Sequence, residues 1–492
     1  MSQQTETILD QAVNLIRSGQ TVQAEELVQS ALHAAEQQFG PQSAEYASAL
    51  NDLATVHLYL RELPGAVAAL RQACAIYVPD DYDAIKDRLT YLMNLSFALE
   101  QQGDLDEAER VLRDCVDGRR IFYGRQHAGY GFGLEPLADL LLRKGKLDEA
   151  LKLIDETVDN FWRASHVRVA TALALRAVIL KAAGSDTPPF ADLDGLPDEI
   201  IGQIADALIN RVDYDNPSRP LRLALADLLE LLTQRFPEKP ELLLPSLQHI
   251  ANLERHLGDA TARVQAIRRA IAICEQIGKP EAALGTMQGL ALALSESGQT
   301  PAAEQAYREA LARADALGDA AARSQVLRNH GLFLAECQRR PDAEKLLREA
   351  VVVAVPSGDA EMLARARIAL GIFLQHGGQL DGAKAILAEA LKGIDPAHPD
   401  AIAARSHLGA VESGSSCGCG DQGKAVADAC REFILARVPP GLLTELKVEA
   451  KDDNLQVQVQ LDHEPSPEEM EQLERVLRHG VEAFRRKLRQ PV

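Results

Sequence analysis

The sequence predicts an all-α solenoid: stacked helical hairpins in two arrays, an irregular central joint, and a small α-β-β-α module at the end. Three observations carry this. Ala24, Ala66, Ala108 and Ala150 recur every 42 residues, each followed four residues on by Val28, Leu70, Leu112 or Ile154. Arg263, Ala303, Ala343 and Ala383 recur every 40, followed by Ile267, Tyr307, Leu347 and Leu387, then by Ala270, Ala310, Ala350 and Ala390. A fixed period of this size marks units that bury their apolar face only against their neighbours. Thirdly, the period is lost beyond about residue 422, where alternation of apolar and polar residues takes over.

One unit shows the logic. Gly103 can take positive φ at the end of a helix. Asp104 with Glu107 fits a capping pair, and Asp106 adds negative charge near the helix N-terminus. Ala108, Leu112 and Cys115 then share one face. The array begins near the N-terminus, with helix pairs at 5–38, 43–78, 85–121 and 130–160. Pro64 suits an early helical position. Trp162, the one tryptophan of the chain, is expected to bridge units, with a partner anchor as the alternative.

Beyond residue 163 the pattern fails. A helix is expected over 167–183, but Thr187, Pro188, Pro189 and Phe190 stand where the next alanine-led helix should start, and proline forbids it. Helices follow at about 198–212, 219–235 and 241–257. Three helices between two sets of antiparallel pairs require the chain to recross the stack. Residues 185–197 can do so extended, since about 13 residues reach roughly 40 Å and a 14-residue helix is only about 21 Å long. An irregular strap is therefore predicted, with Phe190, Leu193 and Leu196 facing inward. The domain reading is an array at 1–163, a joint at 164–240, a second array at 241–411, a Gly/Ser/Cys loop at 412–421 and a capping module at 422–492.

In the second array, Gly331 lies where a neighbouring helix should approach closely, and His330 reads as a satisfied interior histidine rather than a ligand. In the module, Leu446, Val448 and Ala450 alternate with charged residues, and Leu455, Val457, Val459 and Leu461 with glutamines. This is a hairpin with one dry face. A last helix carries Met470, Leu473, Leu477, Val481, Phe484 and Leu488. A lone hairpin is marginal, so it must pack on both helices.

These units resemble tetratricopeptide repeats. Leu290, Ala291, Leu294, Gly298, Ala303, Tyr307 and Ala310 carry the pattern, as do Leu370, Gly371, Leu374, Gly378, Ala383, Leu387, Ala390 and Pro396. Phe39 to Tyr46, followed by Ala49 to Ala54, looks like the long-repeat, kinesin-light-chain-type subclass. The resemblance implies a right-handed α-solenoid whose first helices line a concave surface that grips peptides. Carried onto this chain, the lining includes Asn51, Asn94, Asn252, Gln288, Arg328, Asn329, Arg365 and Arg405. Asn and Gln can pair with a peptide backbone as donor and acceptor, and arginines can clamp carboxylates. The Lys-Asn pattern of the terminal-carboxylate clamp is absent, which argues against a chaperone C-terminus as the ligand. For each of these residues an ordinary surface role stands beside the binding one.

The bulk numbers narrow the classes. A net charge of −20 argues against general nucleic-acid binding, which needs a basic surface. Hydrophobic content of 46% excludes a disordered chain, and aromatics at 4% leave Ala and Leu to pack the helices. No signal peptide and no apolar span are seen, so a cytoplasmic protein without membrane insertion is expected. No catalytic set stands out, and a non-enzyme without cofactor is expected. Cys417 and Cys419 are the sharpest local oddity: with Cys430 and His407 they offer a soft-metal site such as zinc, or thiol exchange. The competing reading is a flexible linker, since zinc sites usually separate paired cysteines by two residues. The sequence thus reads as an interaction scaffold binding a protein or peptide, with a homodimer through the terminal module as a further expectation. A peptide-sensing regulatory receptor and a metal or thiol protein are the alternatives.

Overall fold

The repeating alanines are where they are because two helices meet over them. In the structure, a computed structural model, Ala24, Ala66, Ala108, Ala150, Ala303, Ala343 and Ala383 are all fully buried, and so are their apolar followers. The described residues are 2–18, 20–76, 81–190, 196–395, 398–412, 422–435, 438, 442–451, 454–462, 470, 473 and 476–477. They fall into two compact units, Met1–Asp259 and Ala260–Val492.

The first unit holds four helical hairpins: α1 (Ser2–Arg17) with α2 (Thr21–Phe39), α3 (Ala44–Tyr59) with α4 (Leu63–Ala75), α5 (Tyr82–Gln102) with α6 (Leu105–Tyr123), and α7 (Ala128–Arg143) with α8 (Leu147–Arg163). Then come α9 (Val169–Ala182), α10 (Asp198–Ile209), α11 (Arg219–Arg235) and, after a 3-10 turn at Pro240–Leu243, α12 (Leu244–Leu257). Residues 185–190 and 196–197 are irregular, and Phe190 and Leu196 are buried. Leu193 lies outside the described residues.

The second unit begins with α13 (Ala260–Gln276). It continues through the hairpins α14 (Pro280–Glu296) with α15 (Thr300–Leu317), α16 (Ala320–Glu336) with α17 (Arg340–Ala354), and α18 (Ala360–His376) with α19 (Leu380–Leu391). α20 (Pro399–Glu412) and α21 (Gln422–Leu435) follow, then the antiparallel strands β1 (Leu443–Lys451) and β2 (Asn454–Leu461). Leu446 faces Val459 and Val448 faces Val457, and this dry face packs on Val426, Ala429, Cys430, Ile434 and Leu473. Ile402 of α20 joins the same cluster, so the module closes the end of the stack. Val481, Phe484 and Leu488 lie outside the described residues. This is a tetratricopeptide-like α-solenoid with one small sheet near its C-terminus.

Several local expectations need correction. Gly103 does adopt the left-handed conformation, φ 93°. Asp104, however, caps nothing with its side chain: its ψ is 60°, outside the extended region from which a cap reaches back. The same backbone recurs at Glu62, Lys146, Gln299, Arg339 and Gln379, each without a side-chain cap. The tight turn inside each hairpin sets this geometry. True caps sit between hairpins, where Ser43, Asp81, Asp319 and Asp359 accept a backbone N–H three residues on. Trp162 does not bridge units. It is 51% exposed, because the buried face of α8 runs through Ala150, Ile154, Thr157 and Phe161, and the next residue points away. His330 is interior but not satisfied: its ring stacks on Tyr307 at 5.1 Å, and neither ring nitrogen has a hydrogen-bond partner among the described residues. Burial pushes its basicity down accordingly.

Ion pairs tie successive hairpins together. Glu109 is buried and accepts from Lys144 at 2.6 Å, Lys146 at 2.8 Å and Arg113 at 2.8 Å. Burial pushes its carboxyl up, but the hydrogen bonds from Lys144, Lys146 and Arg113 outweigh it and hold the group at about 2. The folded value lies below the ordinary 4.5, so the stabilisation is complete above the ordinary value and is lost as pH falls through the folded one. Glu109→Gln is expected to lower stability at neutral pH by about 2 kcal/mol, the scale for losing a buried charged acceptor. That deficit should shrink below about pH 4.5. Denaturation midpoints of both proteins across the range check it, and equal deficits at neutral and strongly acid pH would sink the assignment.

Candidate binding groove

Within each unit the first helices of successive hairpins touch: α1 with α3 and α3 with α5, then α14 with α16, α16 with α18, and α18 with α20. The second helices make no comparable contact with one another among the described residues. The wall built from first helices is therefore the tighter, inner side of each stack. Except for Asn252 on α12, the residues expected to line a groove sit on these helices.

In the first unit, Asn94 on α5 donates through Nδ2 to Asn51 Oδ1 on α3 at 2.8 Å. Each amide keeps further donors and acceptors for a ligand. Near the unit's end, Tyr214 shares a hydrogen bond with His249 Nδ1 at 2.8 Å, stacks on His249 and His256, and accepts from Asn252 Nδ2 at 3.4 Å. Sequence reading found Asn252 and missed the others. His249, Asn252 and His256 share one face of α12 by spacing, which was a usable signal. Tyr214, from the loop after α10, gave none.

In the second unit, Asn329 Nδ2 donates to Gln288 Oε1 at 3.3 Å, again linking adjacent first helices. Arg328 Nε donates to Asn329 Oδ1 at 3.3 Å. A cavity of about 290 Å³ opens here, lined by Ser324, Gln325, Arg328, Glu361, Met362 and Arg365 among others. The two arginines differ. Arg365 pairs with Glu361 at 2.7 Å and Asp400 at 3.2 Å, and its NH2 meets His398 Nε2 at 3.1 Å. Arg328 is half-buried, and among the described residues no carboxylate lies within 4.0 Å of it. Burial holds its basicity down, and the positive charge of Arg365 adds to this, while Asp400 works the other way. A guanidinium does not lose its proton, so such a group favours an incoming anion. Arg405 is buried in α20 and presents little surface to a ligand.

Of the four proposed metal ligands, Cys417 and Cys419 lie outside the described residues. Cys430 is fully buried in the apolar cluster beneath the hairpin, and burial pushes its thiol up to about 12. His407 Nδ1 is engaged with Gln375 Oε1 at 2.7 Å. No helix among the described residues is long and apolar enough to cross a membrane.

Comparison with known proteins agrees with this geometry. Residues 4–77 and 87–161 match one tetratricopeptide-repeat family model and residues 283–319 another. Solved structures with similarity include a putative kinesin light chain from Podosopora anserina with nearly identical TPR-like repeats (17% identity, 42% of this chain, 96% of that one, TM-score 0.33). A signal-transduction ATPase with a tetratricopeptide-repeat sensor from Pyrococcus horikoshii shares 12% identity over 78% of this chain and 52% of its own, TM-score 0.36. A Rap protein complexed with competence and sporulation factor shares 15% over 79% of this chain and 100% of its own, TM-score 0.29. No curated protein matches. The chain thus carries tetratricopeptide repeats at residues 4–77 and 87–161 of the first unit and at 283–319 of the second.

Proposed function

We propose that the chain is a non-catalytic scaffold that binds a protein or peptide along the wall of first helices, and that the second unit reads an acidic group there. One observation carries the reading. Arg328 sits half-buried in the cavity between α16 and α18, beside a second arginine and, among the described residues, with no carboxylate within 4.0 Å. A carboxylate from an acidic side chain or a chain terminus would take two parallel hydrogen bonds from it. Asn329 and Gln288 flank it with amides that suit an extended backbone. Arg365 is already neutralised, which makes it the wall of the pocket rather than its hook.

Selection of displayed random peptides on the purified chain tests this. The enriched set should be rich in Asp and Glu, and Arg328→Gln should weaken the best peptide about tenfold, or 1.4 kcal/mol. Lys152→Gln, on the exposed face of α8 and away from the wall, should leave it unchanged. A selected set without acidic bias, or equal binding by Arg328→Gln, would overturn the reading.

A further inference from the structure

The 42-residue repeat allows each position in the first unit to be compared with its equivalents. Position 57 is His57, where the equivalents are Leu15, Leu99 and Leu141. Position 65 is Gly65, where they are Gln23, Glu107 and Glu149. Glu25 and Glu62 are equivalent, two periods on, to Glu109 and Lys146. That later pair is an ion pair at 2.8 Å. In the earlier hairpin the ammonium is replaced by a second carboxylate, an interior leucine by an imidazole, and a glutamate by glycine.

The three departures meet at one point. His57 Nδ1 is 2.8 Å from Glu62 Oε2, and one ligand atom each of Glu25, His57 and Glu62 lies within 4.8 Å of the other two. The glycine is what admits the ring: a Cβ at Gly65 would stand 3.0 Å from His57 Nδ1 and 3.1 Å from Cε1. The imidazole therefore rests on the first turn of α4, its side chain only 12% exposed. Glu62 is the N-cap residue of α4, yet its carboxylate caps nothing and is available. Glu25 comes from α2, held by a hydrogen bond from Gln29 at 3.1 Å. Two carboxylates face each other where the fold elsewhere places a cation between hairpins.

We infer that Glu25, His57 and Glu62 bind a divalent transition-metal ion of the zinc class, which replaces the missing ammonium and pins α2 to the α3–α4 turn. One imidazole nitrogen and two carboxylate oxygens are an ordinary zinc set, with water completing the shell. Ligand atoms around a tetrahedral zinc lie ~3.3 Å apart at bond lengths near 2.0–2.1 Å. The His57–Glu62 spacing is already near that, and a rotamer change brings Glu25 in. A zinc-bound imidazole coordinates through one ring nitrogen and carries its proton on the other. Magnesium, which prefers an all-oxygen octahedron and keeps its waters, should not compete.

Calorimetric titration of the full chain with ZnCl2, in a Cys417→Ser/Cys419→Ser background, tests the site. One zinc should bind there, with a rise in melting temperature that MgCl2 does not reproduce. Glu25→Gln should weaken binding at least tenfold. Glu62→Lys recreates the Glu109–Lys146 pair, so it should fold as well as the parent without metal and lose the zinc response. Absence of zinc binding, an equal response to magnesium, or an unchanged site in Glu25→Gln or Glu62→Lys would each overturn the inference.

Discussion

Replacing Gly371 by valine is expected to lower stability by about 3 kcal/mol, the upper part of the range for overpacking a filled core. Gly371 lies on α18 where Leu387 of α19 crosses it. A Cβ there would stand 2.7 Å from Leu387 Cγ and 2.8 Å from Cδ2. Leu387 cannot retreat, because it is itself fully buried between Ala390 and the next hairpin. Gly331 meets Leu347 in the same way, at 2.8 Å and 3.0 Å, one repeat earlier. Alanine at Gly371 should cost less, since it regains about 1 kcal/mol of helix propensity against the same clash. Gly289 on α14 provides the contrast. A Cβ there meets nothing within 4 Å, so Gly289→Ala should stabilise by up to about 1 kcal/mol. Because a solenoid unfolds by neighbouring units, hydrogen exchange across α16–α19 is the direct reading, with denaturant midpoints beside it. If Gly371→Val exchanges like the parent, or Gly289→Ala proves the more damaging, the close approach is not what fixes these helices.

The repeat frame was legible because it is written in positions where only small or buried residues fit. Ala108 and Leu112 declare their roles by recurrence alone. The break after α9 was legible for the opposite reason, since Pro188 and Pro189 stand where the recurrence should continue. What the frame hides is whatever depends on two hairpins meeting. The true caps, such as Asp81 and Asp359, lie in the connections between hairpins, where no apolar period marks the helix start. Phe161 and Trp162 are adjacent, and only the phase of α8 decides that the first is buried. In the groove, Arg328 and Arg365 look alike in sequence, as arginines 37 residues apart on successive first helices. They differ because Asp400 and His398, at the start of the following helix, reach one and not the other. The His57 cluster escaped notice because no metal motif spaces its members. It emerges when each residue is compared with its counterparts in the other repeats.

The substitution Asp52→Asn is expected to stabilise the first unit, by an amount that grows from about pH 4 and is complete above about pH 7. Asp52 is buried in α3, one residue from Asn51 on the candidate wall. Burial pushes its carboxyl up to about 7, while a hydrogen bond with Asn51 works the other way. No basic side chain among the described residues forms an ion pair with it. Between the ordinary value of 3.8 and about 7 the folded chain holds a proton that the unfolded chain has released. Stability therefore falls as pH rises through that window, and above it the whole penalty is present. At 1.36 kcal/mol per unit, the difference is at most about 4 kcal/mol. Asparagine has nearly the same shape and cannot ionise, so the variant should match the parent near pH 4 and exceed it near pH 8. Denaturant midpoints at the two pH values decide this, and a constant offset between the proteins would refute it. The sign also bears on the wall: ionising Asp52 places negative charge beneath Asn51, whereas Arg328 gives the second unit's wall a standing positive one. On the binding role proposed above, an acidic ligand is expected to prefer the second unit's wall.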